Sequence, residues 1–335
     1  MEEVKVTVLC TVYNHEKFLK QCLDGIISQE TNFKYELIVN DDASSDSSPS
    51  ILKEYAAKYP EIIRLVLQEE NQYSKGKSIC NEILFPKARG KYIAVCEGDD
   101  YWSDKTKLQK QYDFMEAHSE CVMCVHNTIK HDLMGIKKDV PFNTWKDKEY
   151  LSDYDIFFGW NVHTSSYFIR KEYFTFPKQF QKFWFGDYIR LTYGKVSGAI
   201  GYLPFIMSVY NYNNKQGVTR QIKDTAVEKK IKRILERAVY LKLLDSYSDY
   251  KYTKIIHERI YDIEFEADLI RWSYLIHSTR NRNEAISCAK KVIHDSRFKA
   301  RYNRASVLEK IKLKIKYNGF YAYPLWRKMW NKRTG

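Results

Sequence analysis

From residue 4 to residue 125, runs that read as strands alternate with runs that read as helices, and this constrains the fold more than any other feature of the chain. Val4-Lys5-Val6-Thr7-Val8-Leu9 alternates and is rich in β-branched residues, whereas Phe18, Leu19, Cys22, Leu23, Ile26 and Ile27 recur at helical spacing. The pattern repeats as strand at 35–39, helix at 50–59, strand at 62–67, a helical stretch ending near Pro86, strand at 92–96, helix at 104–118 and a buried strand at 121–125. Strands separated by helices pair in parallel through right-handed crossovers, so the expectation is an α/β fold on a mostly parallel sheet.

After residue 125 the signals change. Residues 126–160 read as irregular and loop-rich, with Trp145 and Trp160 among several Asp. Beyond about residue 222 everything reads as helix: Thr225 and Glu228 form a capping-box pattern, and Val227, Ile231, Ile234, Leu235, Ala238 and Leu241 keep the 3.6 period. Further helical segments follow near 252–277 and 283–294. At 335 residues the chain is long enough for about two domains. The division expected is a catalytic domain at 1–221, an α-helical region at 222–300 and a basic, aromatic, amphipathic tail at 301–335.

Charge is concentrated in that tail. The chain carries 55 Lys and Arg against 42 Asp and Glu, a net +13, and residues 301–335 hold ten basic residues against Glu309 alone, which supplies +9. The body is nearly neutral, which argues against a nucleic-acid surface. In the tail, Val307, Leu308, Ile311 and Ile315 fall on one helical face, and Leu325, Trp326, Met329 and Trp330 sit among Arg327, Lys328, Lys332 and Arg333. Such a segment suits either an anionic membrane surface or packing on the helical region. No apolar run reaches the ~18 residues of a membrane span, since 199–209 is broken by Gly201 and Pro204. The start of the sequence lacks the basic and apolar regions of a secretory signal, and seven cysteines in irregular, mostly apolar contexts suggest reduced thiols. The expected location is cytoplasmic, peripheral on the inner face of the membrane if the tail binds it.

In an open parallel sheet, ligands bind beyond the carboxyl ends of the strands. Three strand ends here are unusually polar: Thr11-Val12-Tyr13-Asn14-His15, Asn40-Asp41-Asp42-Ala43-Ser44-Ser45-Asp46, and Glu97-Gly98-Asp99-Asp100-Tyr101-Trp102. The second could equally be an Asx turn capping the next helix, and the third a solvated acidic turn. Three carboxylates within four residues repel one another unless a cation intervenes, and a hard divalent ion, Mg²⁺ or Mn²⁺, suits Glu97 and Asp99. No Gly-x-Gly-x-x-Gly follows the first strand, and Gly76-Lys77-Ser78 has Asn at position 71 where a phosphate loop needs Gly. Cys121-x-x-Cys124 with His126 lies in an apolar strand without a second ligand pair, and His163 reads as a structural histidine.

These motifs, in this order and spacing, resemble the family 2 inverting glycosyltransferases of bacterial surface-polysaccharide synthesis, over about residues 4–215. The resemblance implies the nucleotide-diphospho-sugar transferase, or GT-A, fold, which is Rossmann-like. It places Thr11 and Tyr13 in a nucleoside pocket, gives Asp41 or Asp42 the hydrogen bonds to uracil and ribose, makes Glu97-x-Asp99 the metal motif, and sets Asp100 and Trp102 against the sugars. It also implies a catalytic base in Phe185-Gly186-Asp187-Tyr188, namely Asp187, which could alternatively cap a helix. Where the family often continues with Tyr-Arg-x-His, this chain has Tyr210-Asn211-Tyr212-Asn213, so diphosphate contact would fall to Lys215 or Arg220.

The function expected is a metal-dependent inverting transferase moving a hexosyl or N-acetylhexosaminyl group from a nucleotide sugar, with UDP as the expected nucleotide, to a lipid-linked or polymeric glycan acceptor. Two rivals stand beside it. A sugar-phosphate nucleotidyltransferase would want a Gly-rich basic loop after the first strand, where Tyr13-Asn14-His15-Glu16 stands. A non-catalytic docking partner of a glycan synthase would be signalled by loss of Asp99 or Asp187, and both are present.

Overall fold

The computed structural model describes residues 3–159, 161–212 and 226–278, together with Ser287 and Ser296. The chain divides into two units, Met1–Gln221 and Ile222–Gly335. In the first, β1 (Val4–Val12) lies between β2 (Lys34–Asp41) and β4 (Tyr92–Glu97), and β3 (Ile63–Leu67) lies outside β2, with all these pairings parallel. Period-2 alternation sends Val6, Val8 and Cys10 to one core layer and Leu9 to the other. The first layer is closed by α1 (Leu19–Ile27), through Leu19, Cys22, Leu23 and Ile26, and by Leu52 of α2 (Ser48–Lys58). Each such aliphatic side chain taken fully out of water contributes about 1.5–3 kcal/mol.

The stretch expected as a helix ending near Pro86 is instead a chain of single turns at Tyr73–Lys75, Ile79–Leu84 and Phe85–Lys87. Gly76, left-handed at φ 83°, breaks the first turn from the second.

The rest of the unit completes the sheet with mixed pairing. It comprises β5 (Tyr101–Trp102), α3 (Lys107–Ala117), β6 (Cys121–Asp132), β7 (Val140–Pro141), α4 (Asp153–Phe157), β8 (Phe168–Arg170), α5 (Lys178–Gln181), α6 (Gly186–Ser197) and β9 (Ala199–Tyr212). The order across the sheet is β3-β2-β1-β4-β8-β6-β9-β5, with β7 on β6. β8 is antiparallel to both β4 and β6, β9 is parallel to β6, and β5 is antiparallel to β9. Residues 126–132 are therefore strand rather than loop. The segment lacks an apolar signature because its buried polar groups satisfy one another: Thr128 Oγ1 bonds Ser208 Oγ at 2.8 Å, and Asn127 Nδ2 donates to the Asn143 carbonyl at 2.8 Å.

The described part of the second unit is a helical hairpin of α7 (Val227–Tyr247) and α8 (Thr253–Ser278). The turn between them uses the left-handed residues Asp249 and Tyr250, and Thr253 Oγ1 donates to Asp245 Oδ1 at 2.9 Å. Helix α7 begins with Ala226 at its cap and no side-chain cap bond; Thr225, expected to cap it, lies outside the described residues. So do nearly all of the 283–294 segment and the entire 301–335 tail. Among the described residues no helix is long and apolar enough to cross a membrane.

Candidate active site

The chain runs from β1 outward to β2 and β3, then returns to β4 on the other side of β1, so connections leave the carboxyl ends of β1 and β4 in opposite directions and open a crevice there. Thr11 sits at its floor, in register with Asn40 on one side and Glu97 on the other. The Gly98 N–H donates to the Thr11 carbonyl at 2.9 Å, and a Cβ on Gly98 would meet His15 Nδ1 and Val12 Cγ2 at 2.9 Å. Only glycine lets the acidic turn lie this close to the end of β1.

Two loops form one wall. The amides of Asn14, His15 and Glu16 donate to Ser44 Oγ, Ser48 Oγ and Asp46 Oδ2, while the amides of Ser45 and Ser47 donate back to Asn14 Oδ1 and Glu16 Oε2. This lacing holds Asn14 and Ala43 at φ 57° and 60°, a conformation that costs a non-glycine residue on the order of 1 kcal/mol. Tyr13 stands out from this wall, 47% exposed.

The two aspartates of the second motif differ. Asp42 is fully used, accepting from the Gln72 amide at 2.8 Å and the Tyr73 amide at 3.0 Å. Asp41 accepts from the Ser44 amide at 3.0 Å through Oδ2, which is the Asx-turn bond, while its buried Oδ1 has no partner. The turn and an open acceptor thus coexist at Asp41.

In the third motif, Glu97 and Asp99 are half-buried and Asp100 is 1% exposed. Burial, then the charges of Asp99 and Asp187, push Glu97 up to about 8; burial with Asp99 and Glu97 pushes Asp100 well above the carboxylate range. Asn211 pins the turn, its amide donating to Asp100 Oδ1 at 2.9 Å and its Nδ2 to the Asp99 carbonyl at 2.7 Å. Asp100 Oδ2 is buried without a hydrogen-bond partner, with His163 Nδ1 at 3.7 Å, and His15 Nε2 lies 3.9 Å from Asp99 Oδ2.

Trp102 is not in the crevice: it is 3% exposed, donates Nε1–H to the Ser165 carbonyl at 3.0 Å and has Lys107 Nζ 3.9 Å from its ring centre. Its β5 backbone is held against α1, where a Cβ on Gly25 would meet the Trp102 carbonyl at 2.6 Å. Trp102 supports the acidic turn from below, where contact with a sugar had been expected.

Asp187 arrives from the far half of the sheet. It lies in the first turn of α6, whose cap position is Phe185, so Asp187 is not the N-cap; its Oδ1 accepts from the Tyr188 amide at 2.8 Å. It is near enough to help raise Glu97 and, after burial, Tyr167, and to act on the buried Arg190. Arg190 is held by the Phe174 carbonyl and by Asn81 Oδ1 at 3.0 Å, with Phe174 stacked 4.0 Å away.

The donor set fits a hard divalent cation. Glu97, Asp100 and His163 each offer a ligand atom, and these atoms lie within 4.8 Å of one another. Crowded carboxylates with an unpartnered buried oxygen are what a bound Mg²⁺ or Mn²⁺ would relieve. Lys215 and Arg220 lie outside the described residues. Cys121, Cys124 and His126 do not form a metal cluster among the described residues: Cys124 contacts Gln111 and His126 Nδ1 bonds the Asn127 carbonyl. The described cysteines are free thiols.

The sequence does not assign His163, Asn211 or Arg190 to the site. Arg190 carries a usable signal, since it stands three residues after Asp187 on one helix and so shares its face. His163 and Asn211 come from sequence positions far from the acidic motif; His163 reads from sequence as a structural histidine, and Asn211 stands out only as a departure from the Tyr-Arg-x-His pattern.

The sequence profile of Glycosyl transferase family 2 matches residues 7–175, about half of the chain. A putative teichuronic acid biosynthesis glycosyltransferase of Bacillus subtilis, TuaG, is 32% identical over 130 residues, 39% of this chain and 48% of that protein. The chain spans less than half the length of this and other curated relatives it matches. Among solved structures, S. aureus TarS 1–349 in complex with UDP-GlcNAc is similar with a TM-score of 0.59 at 17% identity, covering 95% of this chain and 88% of that one. The mannosyltransferase PcManGT of Pyrobaculum calidifontis, in complex with GDP-Man and Mn²⁺, is similar with a TM-score of 0.54 at 15% identity, covering 97% and 88%. At such identities these likenesses speak to the fold, which is the GT-A fold with a following helical region. With the profile laid over β1 to β8 and the crevice at its predicted end, the chain belongs to glycosyl transferase family 2.

Proposed function

We propose that the protein is a metal-dependent inverting glycosyltransferase that moves a sugar from a UDP-sugar to a hydroxyl of a lipid-linked or polymeric glycan acceptor in cell-surface glycan synthesis. The observation that carries this reading is the donor set of Glu97, Asp100 and His163, whose ligand atoms lie within 4.8 Å of one another at the acidic turn beside the switch point of the sheet. The families of the relatives and the nucleotide-sugar complexes of the two similar structures support it.

In this reading Tyr13 and Thr11 border the base and ribose. Asp41, whose Oδ1 is open, accepts a hydrogen bond from the uracil, while Asp42 is occupied in holding the loop. Glu97 and Asp99, together with Asp100 and His163, would hold Mn²⁺ or Mg²⁺, which would neutralise the departing diphosphate. Asp187 takes the proton of the acceptor hydroxyl as its oxygen bonds to the anomeric carbon; the bond from that carbon to the diphosphate breaks on the opposite face, and the configuration inverts.

The test is to incubate the full chain with a panel of nucleotide sugars and Mn²⁺ and measure nucleotide release. Release from UDP-sugars that stops with excess EDTA is the expected result. Equal release in EDTA sinks the metal assignment, and no release from any donor, with or without added glycans, sinks the transferase reading.

A further inference from the structure

Three large apolar side chains stand in solvent on the hairpin that joins β6 to β7. Met134 is 48% exposed, Val140 49%, and Ile136 71%, which makes it the most exposed large apolar side chain among the described residues. The turn is built to hold them there. Asp132 organises it: the Gly135 amide donates to its carbonyl at 2.8 Å, the Met134 amide to Oδ1 at 3.1 Å and the Lys137 amide to Oδ2 at 3.0 Å. Gly135, left-handed at φ 64°, lets the chain reverse between Met134 and Ile136, and the antiparallel pairing of Lys130 with Val140 closes the base.

The sheet decides which way this turn faces. β8 is antiparallel to both β4 and β6, so β6 runs in the direction of β4 and its carboxyl end lies at the crevice edge. There Asp132 is in register with Tyr212, and His131 with Asn211, the residue that pins the acidic turn. The hairpin thus rises beside the crevice mouth.

Shape and charge select what covers it. Lys137 and Lys138 follow Ile136 directly and are both exposed. The two carboxylates of the turn are engaged, Asp132 by the amides above and Asp139 by His131, whose Nδ1 lies 3.0 Å from each of its oxygens. A convex tip of three apolar side chains is too small for a stable protein partner, which takes about 800 Å² from each side. A second copy seated tip to tip would bring like-charged lysines together. An anionic bilayer needs neither a large area nor a matching shape. Apolar side chains enter between the headgroups while lysines stay at the phosphate level and favour the contact electrostatically.

We infer that the hairpin tip at 133–140 is a membrane-docking device, which inserts Met134 and Ile136 into an anionic lipid surface and brings the crevice mouth to the headgroup plane. The inference stands on the sheet geometry and the exposed side chains, independently of the transferase reading. The two agree in setting a lipid-linked acceptor at the crevice.

The test is flotation of the full chain with vesicles of phosphatidylcholine, with and without phosphatidylglycerol. The wild type is expected to float with the phosphatidylglycerol vesicles and to lose binding as salt rises. Met134→Ser combined with Ile136→Ser should lower the partition coefficient about tenfold, and Lys137→Gln combined with Lys138→Gln about tenfold at low salt. All four positions are exposed, so thermal unfolding of both double variants should match the wild type. The inference is overturned if the wild type stays in the supernatant, or if the variant at 134 and 136 floats as well as the wild type, which would leave the binding to residues 301–335. It is also overturned if that variant instead turns a self-associated chain into a monomer in vesicle-free sedimentation. Absence of nucleotide release from every donor sinks the transferase reading and leaves the flotation result untouched, so the two fail separately.

Discussion

The parallel strands carry a buried carboxylate at each end, and the two ends treat it in opposite ways. Near the start of β2, Glu36 is 1% exposed and accepts from Thr7 Oγ1 at 2.8 Å, the Arg89 amide at 2.9 Å, Arg89 Nε at 2.9 Å and Arg64 Nη1 at 3.1 Å. Burial alone would raise it, yet Arg89, Thr7 and Arg64 hold it below the ordinary value. About 13 Å along the same strands, four residues on, Glu97 and Asp100 crowd together with Asp99 and are raised. Orphaned buried atoms gather at this end: Asn40 Nδ2, Asp41 Oδ1, His15 Nδ1 and Asp100 Oδ2. A carboxylate given its cations by the chain is structural, and one denied them is arranged for a partner from solution.

The sharpest way to break this contrast is Asp99→Ala. Turnover and Mn²⁺-dependent UDP binding should disappear together, a loss of on the order of 10³ or more in rate, because the ion and the diphosphate are held by the same turn. Retained Mn²⁺-dependent binding, read by calorimetry, would move the metal wholly onto Glu97, Asp100 and His163. Next, Asp187→Asn should lower kcat by roughly 10² to 10⁴ with UDP affinity unchanged, as measured by steady-state kinetics. A near-normal kcat would place the base elsewhere.

At the other end the expected effects are on stability. Glu36→Gln should cost about 2 kcal/mol in urea unfolding, the low side for a buried pair because both arginines are about half exposed. Since the folded value of Glu36 is depressed, the gap from wild type should be full above about pH 4.5 and close as the pH falls through that lower value. The smallest effect is expected from Asp100→Asn in metal-free buffer: within about 1 kcal/mol and on the stabilising side, since like-charge crowding is relieved while the bond from the Asn211 amide can persist. A large destabilisation there would show Asp100 to be a structural carboxylate like Glu36.

The parallel half of the sheet was legible because its strands alternate or run apolar, rich in β-branched residues, and end in polar turns, so both their existence and the position of the crevice can be read locally. The mixed half was not. β8 is three residues and β5 two, and the end of β6 hides its burial behind polar pairs such as Thr128 with Ser208. The same division holds at the site. Thr11, Asp41, Glu97 and Asp99 announce themselves at strand ends, whereas Trp102 reads as a surface aromatic beside acids and is a core residue. His163 and Asn211 reach the acidic turn only because β9 and the segment before β8 fold back onto β5 and β4.

The lacing of Asn14, His15 and Glu16 to the 44–48 loop also bears on kinetics. A wall whose amides are already tied has little freedom left to surrender when a nucleotide arrives, so donor capture need not wait for this loop to order and little of the binding free energy is lost in ordering it.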